Sequence, residues 1–135
     1  MLILVIMQKI TIVDGIIIEN NQLLLLKKIT KPYYELPGGK VKINEDMEDA
    51  LKRELKEELG ISILTYQKIA KLNLTFENKE IEDHIFLIEK YEGNIKNNEK
   101  EVFEKIHWQN KNELLILSLA PNIKEIVKKR LIYPI

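Results

Sequence analysis

The stretch that decides the fold runs from residue 36 to residue 61 and reads LPGGKVKINEDMEDALKRELKEELGI. It opens with Pro37-Gly38-Gly39, where the proline is rigid and the glycines are free to adopt positive φ. Residues 46–59 are rich in Glu, Leu, Lys and Ala, a composition that predicts an α-helix. Asn44 or Asp46 is suited to cap the start of this helix, and Gly60 is placed to end it. A rigid loop followed by a helix can direct backbone groups and side chains at a single ligand.

Three carboxylates share one face of the predicted helix. At about 100° per residue, Glu54, Glu57 and Glu58 fall within an arc of roughly 100°. Like charges at this spacing repel one another, and Mg²⁺, which prefers oxygen ligands, would relieve the repulsion. Arg53 lies on the other flank, where it can pair with an acid and hold its rotamer. Taken alone, the helix is equally compatible with a solvated acidic face held by intrahelical ion pairs.

The residues around these carboxylates follow a fixed spacing. Gly39 is followed after five residues by Glu45, and after seven more by the run from Arg53 to Ile61. This pattern resembles the Nudix box, whose form is Gly, five residues, Glu, seven residues, Arg-Glu-aliphatic-any-Glu-Glu-any-Gly-aliphatic. Every constrained position is filled in this chain. The departures are Lys42, where many relatives carry an acid, and Asn44, where many carry a glycine. Because asparagine tolerates left-handed backbone, we expect the turn to survive.

The resemblance implies a chemistry for the helix. In the Nudix family, a loop-helix-loop holds Mg²⁺ or Mn²⁺, and water attacks a pyrophosphate bond in a nucleoside diphosphate linked to another group. By position, Glu57 and Glu58 are implied to be metal ligands, together with the backbone carbonyl of Gly38. Glu54 is implied to be a metal ligand or the general base, oriented by Arg53. The metal would neutralise phosphate oxygens and lower the pKa of a bound water, whose proton a nearby carboxylate would accept.

Other positions are implied to be structural or auxiliary. Glu45 is expected to brace the loop against the helix, Gly39 to allow the tight turn, and Gly60 to end the helix. Relatives often take one further acid from a loop outside the box. The candidates here are Glu101 and Glu104, and we prefer Glu104 as a further metal ligand.

The substrate depends on residues outside the box. The short chain resembles the MutT-type nucleoside triphosphate pyrophosphohydrolases more than the longer ADP-sugar enzymes. Asn122 lies near the start of the last predicted helix, where MutT-type enzymes can place an asparagine to read a purine edge. Its amide offers both a donor and an acceptor. The alternative is an N-cap for a helix that begins at Ile123.

The resemblance therefore implies an enzyme that hydrolyses nucleoside triphosphates, including oxidised purine nucleotides, to monophosphate and pyrophosphate with Mg²⁺ or Mn²⁺ as cofactor. Cleavage of ADP-ribose, of dinucleoside polyphosphates or of RNA 5′ ends is the alternative within the same chemistry. A non-catalytic nucleotide-binding module belongs to another class, and the intact set of carboxylates argues against it. Outside the family, the alternative is a small structural α/β protein with an acidic helix.

The remaining elements predict a single domain over residues 1–135, with the α/β/α sandwich and mixed central sheet of the Nudix fold. Strands are expected at Ile10–Ile18 and Leu23–Lys28, which a hairpin joins, and then at Ile61–Leu74, His84–Tyr91 and Ile106–Gln109. A last helix is expected over Pro121–Leu131.

Composition limits the other classes of function. The 21 basic and 21 acidic residues cancel, so the chain lacks the positive field that binding to an extended nucleic acid requires. It has no cysteine, which excludes disulfides and thiol nucleophiles and fits a reducing, cytoplasmic compartment.

The apolar run Leu2–Met7 is too short to span a membrane, and we expect a buried strand there, unless Met7 rather than Met1 is the native start. Homodimers are common in the family that the chain resembles.

Overall fold

The computed structural model describes residues 6–133 and 135. The strands in this part of the chain are, in order, β1 (Gln8–Ile16), β2 (Ile18–Glu19), β3 (Gln22–Lys28), β4 (Tyr34–Glu35), β5 (Gly38–Lys40), β6 (Ser62–Phe76), β7 (Lys79–Glu92) and β8 (Phe103–Asn110). The helices are α1 (Met47–Leu59) and α2 (Pro121–Lys128), and a 3₁₀ turn covers Leu114–Ile116. Among the described residues, neither helix has the length and apolar character needed to cross a lipid bilayer.

Within the described residues, the strands form two sheets. The first is mixed, with the order β5-β1-β7-β6, in which β1 runs parallel to β7 and the other neighbours are antiparallel. The second is antiparallel, because β3 pairs with β8 and also with the short strands β2 and β4. The chain passes from the first sheet to the second at Ile17, between β1 and β2.

Alternation along the strands divides the core into two layers. Neighbouring residues of a strand point to opposite faces of the sheet. In β3, Leu24 packs in the layer that contains Leu55 of α1, whereas Leu25 packs in the layer that contains Ile123 of α2. The sheets therefore lie between the two helices. This arrangement confirms the predicted α/β/α sandwich with a mixed central sheet.

Helix α1 has the ends that the sequence predicts. Asp46 occupies the N-cap position, although its side chain makes no capping hydrogen bond. Asn44 adopts φ = 63° in the preceding turn, the left-handed conformation that this residue type tolerates. Gly60 ends the helix at φ = 72°, and its N–H donates to the carbonyl of Lys56 over 3.0 Å. The buried face of α1 carries Glu58 among its leucines, so this carboxylate enters the interior.

The first predicted strand has different boundaries in the structure. The prediction Ile10–Ile18 is wrong at its end, because the chain leaves the first sheet after Ile16 and crosses to the second. The predicted hairpin is present, but it joins β2 to β3. Its turn residues, Asn20 and Asn21, have φ = 51° and 65°, as a two-residue hairpin turn requires.

The strands that follow α1 are longer than predicted. Phe76 of β6 pairs with Lys79 of β7 across a turn in which Glu77 and Asn78 both have positive φ, 51° and 60°. The sequence prediction begins β7 only at His84, because the residues before His84 are mostly charged. Strand β8 also exceeds the predicted Ile106–Gln109.

Both ends of the chain differ from the prediction. Helix α2 ends at Lys128, short of the predicted Leu131, and Arg130 turns with φ = 56°. For the apolar run Leu2–Met7, residues 2–5 lie outside the described residues. Ile6 is 83% exposed, so the prediction of a buried strand is wrong for this residue, since the pairing of β1 with β7 begins at Gln8.

Candidate active site

The loop that opens the box is a strand, β5, which lies between β1 and helix α1. Gly38 pairs with Asp14 of β1, and Gly39 pairs with Val13. The N–H of Gly38 donates to Oε1 of Glu58 over 2.7 Å. Backbone pairing on one side and a carboxylate on the other therefore hold this strand in place.

Neighbouring atoms occupy the space of a side chain at both glycines, backbone atoms at Gly38 and a side-chain carboxylate at Gly39. Gly38 has φ = 150°, and a Cβ there would lie 2.0 Å from the carbonyl oxygen of Val13. A Cβ at Gly39 would lie 2.6 Å from the carboxylate of Glu54. The predicted tight approach at Gly39 is thus an approach to a carboxylate of α1.

The guanidinium of Arg53 joins the loop to the helix. Its Nε and Nη2 donate to the two oxygens of Glu45 over 2.8 and 2.9 Å, a bidentate pair. Its Nη2 also donates to the carbonyl of Lys40 over 3.0 Å, and its Nη1 donates to Oε1 of Glu54 over 2.9 Å. The backbone N–H of Lys42 gives Glu45 a further bond of 3.0 Å. These bonds give Glu45 the bracing position, and Arg53 the orienting position, that the resemblance implies.

The same contacts set the charge states of the loop. The guanidinium of Arg53, helped by the N–H of Lys42, lowers the pKa of Glu45 to about 2. In return, the hydrogen bond to Glu45 raises the pKa of Arg53 above its already high value. Both groups are therefore ionised across the physiological range.

The environment of Glu54 and Glu58 disfavours their charged forms. Burial raises the pKa of Glu58 well above its usual value, and the carboxylates of Glu54 and Glu99 raise it further. Burial also raises the pKa of Glu54, against the opposing effect of Arg53. Glu57 is about half exposed, and one of its oxygens lies 3.5 Å from Nη1 of Arg53. Glu58 and Glu54 thus lie toward the buried side of the helix, and Glu57 lies on its more exposed side, next to Arg53.

A fourth carboxylate, Glu99, comes from the loop between β7 and β8. The backbone N–H of Asn98 donates to the carbonyl of Glu58 over 2.9 Å, and its side chain donates to the carbonyl of Glu57 over 3.2 Å. These bonds hold the loop at the end of α1. Burial, and then the charge of Glu57, raise the pKa of Glu99. The sequence prediction does not name this acid, because spacing alone does not separate it from the other acids of the same segment.

The preferred candidate Glu104 has a different position. Its Oε2 lies 3.2 Å from Nζ of Lys27, and its side chain is 55% exposed. The loop acid whose charge acts on Glu54 and Glu58 is Glu99. The role of Glu101 or Glu104 as a further metal ligand stays a prediction, and Glu99 joins them as a candidate from the same loop.

The donor set of this acid cluster, Glu54, Glu57, Glu58 and Glu99, suits a divalent cation of the magnesium type. Its members are carboxylates, and their mutual repulsion contributes to the raised pKa values. Among the described residues, no three acidic or histidine side chains converge at metal-ligand distances. Glu54 is engaged by Arg53 and Glu58 by the N–H of Gly38, so binding a metal requires these side chains to turn.

A cavity of about 230 Å³ lies on the α2 side of the same loop. Gly38 and Gly39 line it, so the loop separates the cavity from the acid cluster. Other parts of its wall come from β1, β6, β7 and the start of α2. Two aromatic rings, Tyr33 and Phe76, line it as an edge-to-face pair with centroids 6.1 Å apart. No pattern in the sequence singles out these two residues.

Asn122 lines this cavity and is not the N-cap of α2. The N-cap position belongs to Ala120, and Pro121 follows as the first helical residue. The side-chain nitrogen of Asn122 donates to Oδ2 of Asp14 over 3.0 Å and to Oδ2 of Asp83 over 2.8 Å. Both aspartates are buried. A signal exists in the sequence for Asp14, which interrupts the apolar run around it, but not for Asp83, which lies in a mostly charged part of β7.

Comparison with known proteins identifies the family. Residues 9–129 match the family model described as the NUDIX domain. The chain is 38% identical over 99 residues to an 8-oxo-dGTP diphosphatase of Buchnera aphidicola subsp. Schizaphis graminum (strain Sg), covering 70% of this chain and 75% of the relative. It is 35% identical over 92 residues to an 8-oxo-dGTP diphosphatase of Escherichia coli (strain K12), covering 64% and 71%. It also resembles the crystal structure of a MutT NUDIX hydrolase from Burkholderia pseudomallei, with a TM-score of 0.74 and 26% identity over 79% of this chain and 87% of that chain.

The chain belongs to the Nudix family. The match confirms the family that the box predicts and, with it, the class of enzyme, a pyrophosphohydrolase. Members of the family generally use divalent metal ions.

The ion pair of Glu45 with Arg53 predicts a pH-dependent contribution to stability. The folded pKa of Glu45, about 2, lies below the usual 4.5, so the pair stabilises the fold above the higher value and progressively less as the pH falls to the lower one. We expect Glu45→Gln to unfold at lower urea concentration than the wild type near neutral pH, with the difference vanishing near pH 2. Urea unfolding of both proteins across this range measures the effect. Glu48→Gln, at an exposed acid in the first turn of α1, is the control, and a difference that stays constant with pH would contradict the prediction.

Proposed function

We propose that this chain hydrolyses nucleoside triphosphates, with oxidised purine nucleotides such as 8-oxo-dGTP as the first candidates, to the monophosphate and pyrophosphate. The observation that carries the proposal is the shared wall formed by Gly38 and Gly39. One side of this wall faces a cavity with aromatic and polar groups, and the other contacts the acid cluster. A molecule with a base at one end and phosphates at the other fits this division.

The cavity would receive the base and sugar. Tyr33 and Phe76 offer aromatic surface, on which a nucleobase can stack with little dependence on its identity. Lys28 and Lys40 also line the cavity, and their ammonium groups can contact phosphate oxygens on the way to the acids. The names of the two relatives, both 8-oxo-dGTP diphosphatases, support an oxidised guanine nucleotide as the substrate.

The acid cluster would hold a divalent metal ion, Mg²⁺ or Mn²⁺. In this proposal the side-chain ligands are Glu57, Glu58 and Glu99, and the carbonyl of Gly38 is a backbone ligand. Glu54 contributes to the binding of the ion without being one of its main ligands. A bound ion supplies neutralisation of phosphate oxygens and a water of lowered pKa. The oxygen-only donor set is the observation that favours Mg²⁺ or Mn²⁺ over softer metals.

The remaining residues of the box would position the reacting groups. The carboxylate of Glu54 lies against Gly39 and accepts a hydrogen bond from Arg53 at one oxygen, which leaves its other oxygen available. In this proposal Glu54 takes the proton of the attacking water. Glu45 contributes indirectly, because it fixes the guanidinium that orients Glu54.

The products of a substrate panel test the proposed function. With Mg²⁺, the purified chain is expected to release pyrophosphate and a monophosphate from 8-oxo-dGTP, and to lose this activity with excess EDTA. ADP-ribose and a dinucleoside polyphosphate serve as competing substrates of the same bond type. Faster cleavage of either, or release of single phosphate from the triphosphate, would contradict the proposal.

Replacing Glu58 by glutamine separates catalysis from folding. The amide oxygen of the introduced glutamine can still accept the N–H of Gly38, and the buried charge is removed, so we expect Glu58→Gln to be at least as stable as the wild type. Loss of a metal ligand should lower kcat by about a hundredfold or more. Steady-state kinetics at saturating Mg²⁺ and thermal unfolding measure the two effects. Asp49→Asn, on the exposed side of α1, is the matched control, and undiminished turnover by Glu58→Gln would reject the metal site.

The two loop acids form a matched pair for a metal titration. Glu99→Gln and Glu104→Gln make the same chemical change in the same segment of the chain. We expect the first to weaken Mn²⁺ binding by about tenfold and the second to leave it unchanged, because Glu104 pairs with Lys27. Paramagnetic resonance of free Mn²⁺ measures both. The opposite ranking would restore Glu104 as the additional ligand.

A further inference from the structure

The amide of Asn122 is held in one orientation by its neighbours. Its nitrogen donates one hydrogen bond to Asp14 and one to Asp83, at 3.0 and 2.8 Å. Because a side-chain amide nitrogen carries two hydrogens, both are used within the protein. Its oxygen accepts the backbone N–H of Ile123 at 2.9 Å and keeps one lone pair free. Turning the amide over would place its oxygen against two carboxyl groups.

The two aspartates lie side by side, because one oxygen of each accepts an N–H of the same Asn122 amide. Burial, and then the charge of Asp83, raise the pKa of Asp14 well above its usual value. Asp14 lines the cavity, whereas Asp83 has no exposed surface and lies behind it.

We infer that Asp83 is a positioning residue for base selection: together with Asp14 it occupies both N–H groups of Asn122, so this amide offers a base only its oxygen and selects a nucleobase edge that carries N–H donors. The inference rests on the proposed function and adds the chemical group that the cavity reads. Asn122 and Asp14 would contact the base, and Asp83 would act through them.

Two purine edges carry such donors. An ordinary purine has an acceptor at N7, but an 8-oxopurine carries a hydrogen there, so oxidation turns an acceptor into a donor. The other edge of guanine carries N1–H and a 2-amino group, and hypoxanthine lacks the amino group. Comparing 8-oxo-dGTP with dGTP tests the first edge, and comparing dGTP with dITP tests the second.

The wild-type enzyme gives the first arm of the test. An acceptor facing an acceptor leaves both without a partner, so we expect kcat/KM to differ by about tenfold or more in at least one of the two comparisons. Absence of hydrolysis of any nucleoside triphosphate would reject the proposed function itself. Hydrolysis with equal kcat/KM in both comparisons would overturn the inference and leave the proposed function standing. This arm depends on no variant.

Variants at position 83 give the second arm. Asp83→Val removes the acceptor and frees the amide of Asn122, so the ratio of kcat/KM values should fall toward one. Asp83→Asn keeps an oxygen acceptor for Asn122 and should retain the wild-type ratio. A merely structural role for Asp83 would lower activity on every substrate and leave the ratio unchanged, which would overturn the inference, as would loss of the ratio in Asp83→Asn.

Glu82→Val is the matched control for this arm. Glu82 is the neighbour of Asp83 on β7, but it points to the other face, where it contacts His84 at 2.7 Å and Lys71 at 3.7 Å. We expect this variant to keep the wild-type ratio. Thermal unfolding of each variant shows whether the comparison is made on folded protein.

Discussion

The close approach of backbone to side chain at Gly38 and Gly39 is the constraint on which the rest of the site depends. On one side, the N–H of Gly38 reaches Glu58 and the α-carbon of Gly39 lies against the carboxylate of Glu54. On the other, the same residues line the cavity and pair with β1. A Cβ at Gly38 would clash with the backbone of β1, and a Cβ at Gly39 would displace the carboxylate of Glu54. The loop therefore has the cavity on one face and the acid cluster on the other, with only one strand between them.

The acids near Gly38 and Gly39 differ in how far a positive charge compensates them. Arg53 gives its bidentate contact to Glu45, the acid with the lowered pKa, and only a single short bond to Glu54. Burial and neighbouring carboxylates then raise the pKa values of Glu54, Glu58 and Glu99. A chain selected only for stability would place a cation there, since buried charges without partners are costly. The fold instead uses its arginine to keep the loop in place and leaves a concentration of negative charge that a divalent ion can neutralise.

The sequence predicts the local part of this arrangement well and the remote part poorly. The helix, its end at Gly60 and the shared face of the box acids follow from spacing and propensity over a few turns. Glu99 does not follow, because its position depends on hydrogen bonds from Asn98 to the last carbonyls of α1, across a long hairpin. That hairpin exceeds its predicted length for a related reason, since charged residues before His84 pair with β6 despite their polarity. Asn122 stands out in the sequence as a polar residue at the start of α2, but its contacts with two buried aspartates are set by tertiary packing.

The two halves of the site share one strand register. In β1, Val13 packs in the α1 layer of the core and Asp14 faces the cavity on the α2 side, in agreement with the alternation of side chains along a strand. The same register pairs Asp14 with Gly38. A shift of one residue between β1 and β5 would turn Asp14 toward the core of α1, expose Val13 to the cavity and move the Gly38 N–H away from Glu58. The geometry of the cavity and that of the acid cluster are therefore linked through one strand pairing. Substitutions at positions 14, 83 and 122 can change the polar groups beside the cavity while this pairing, which is made by backbone atoms, is kept.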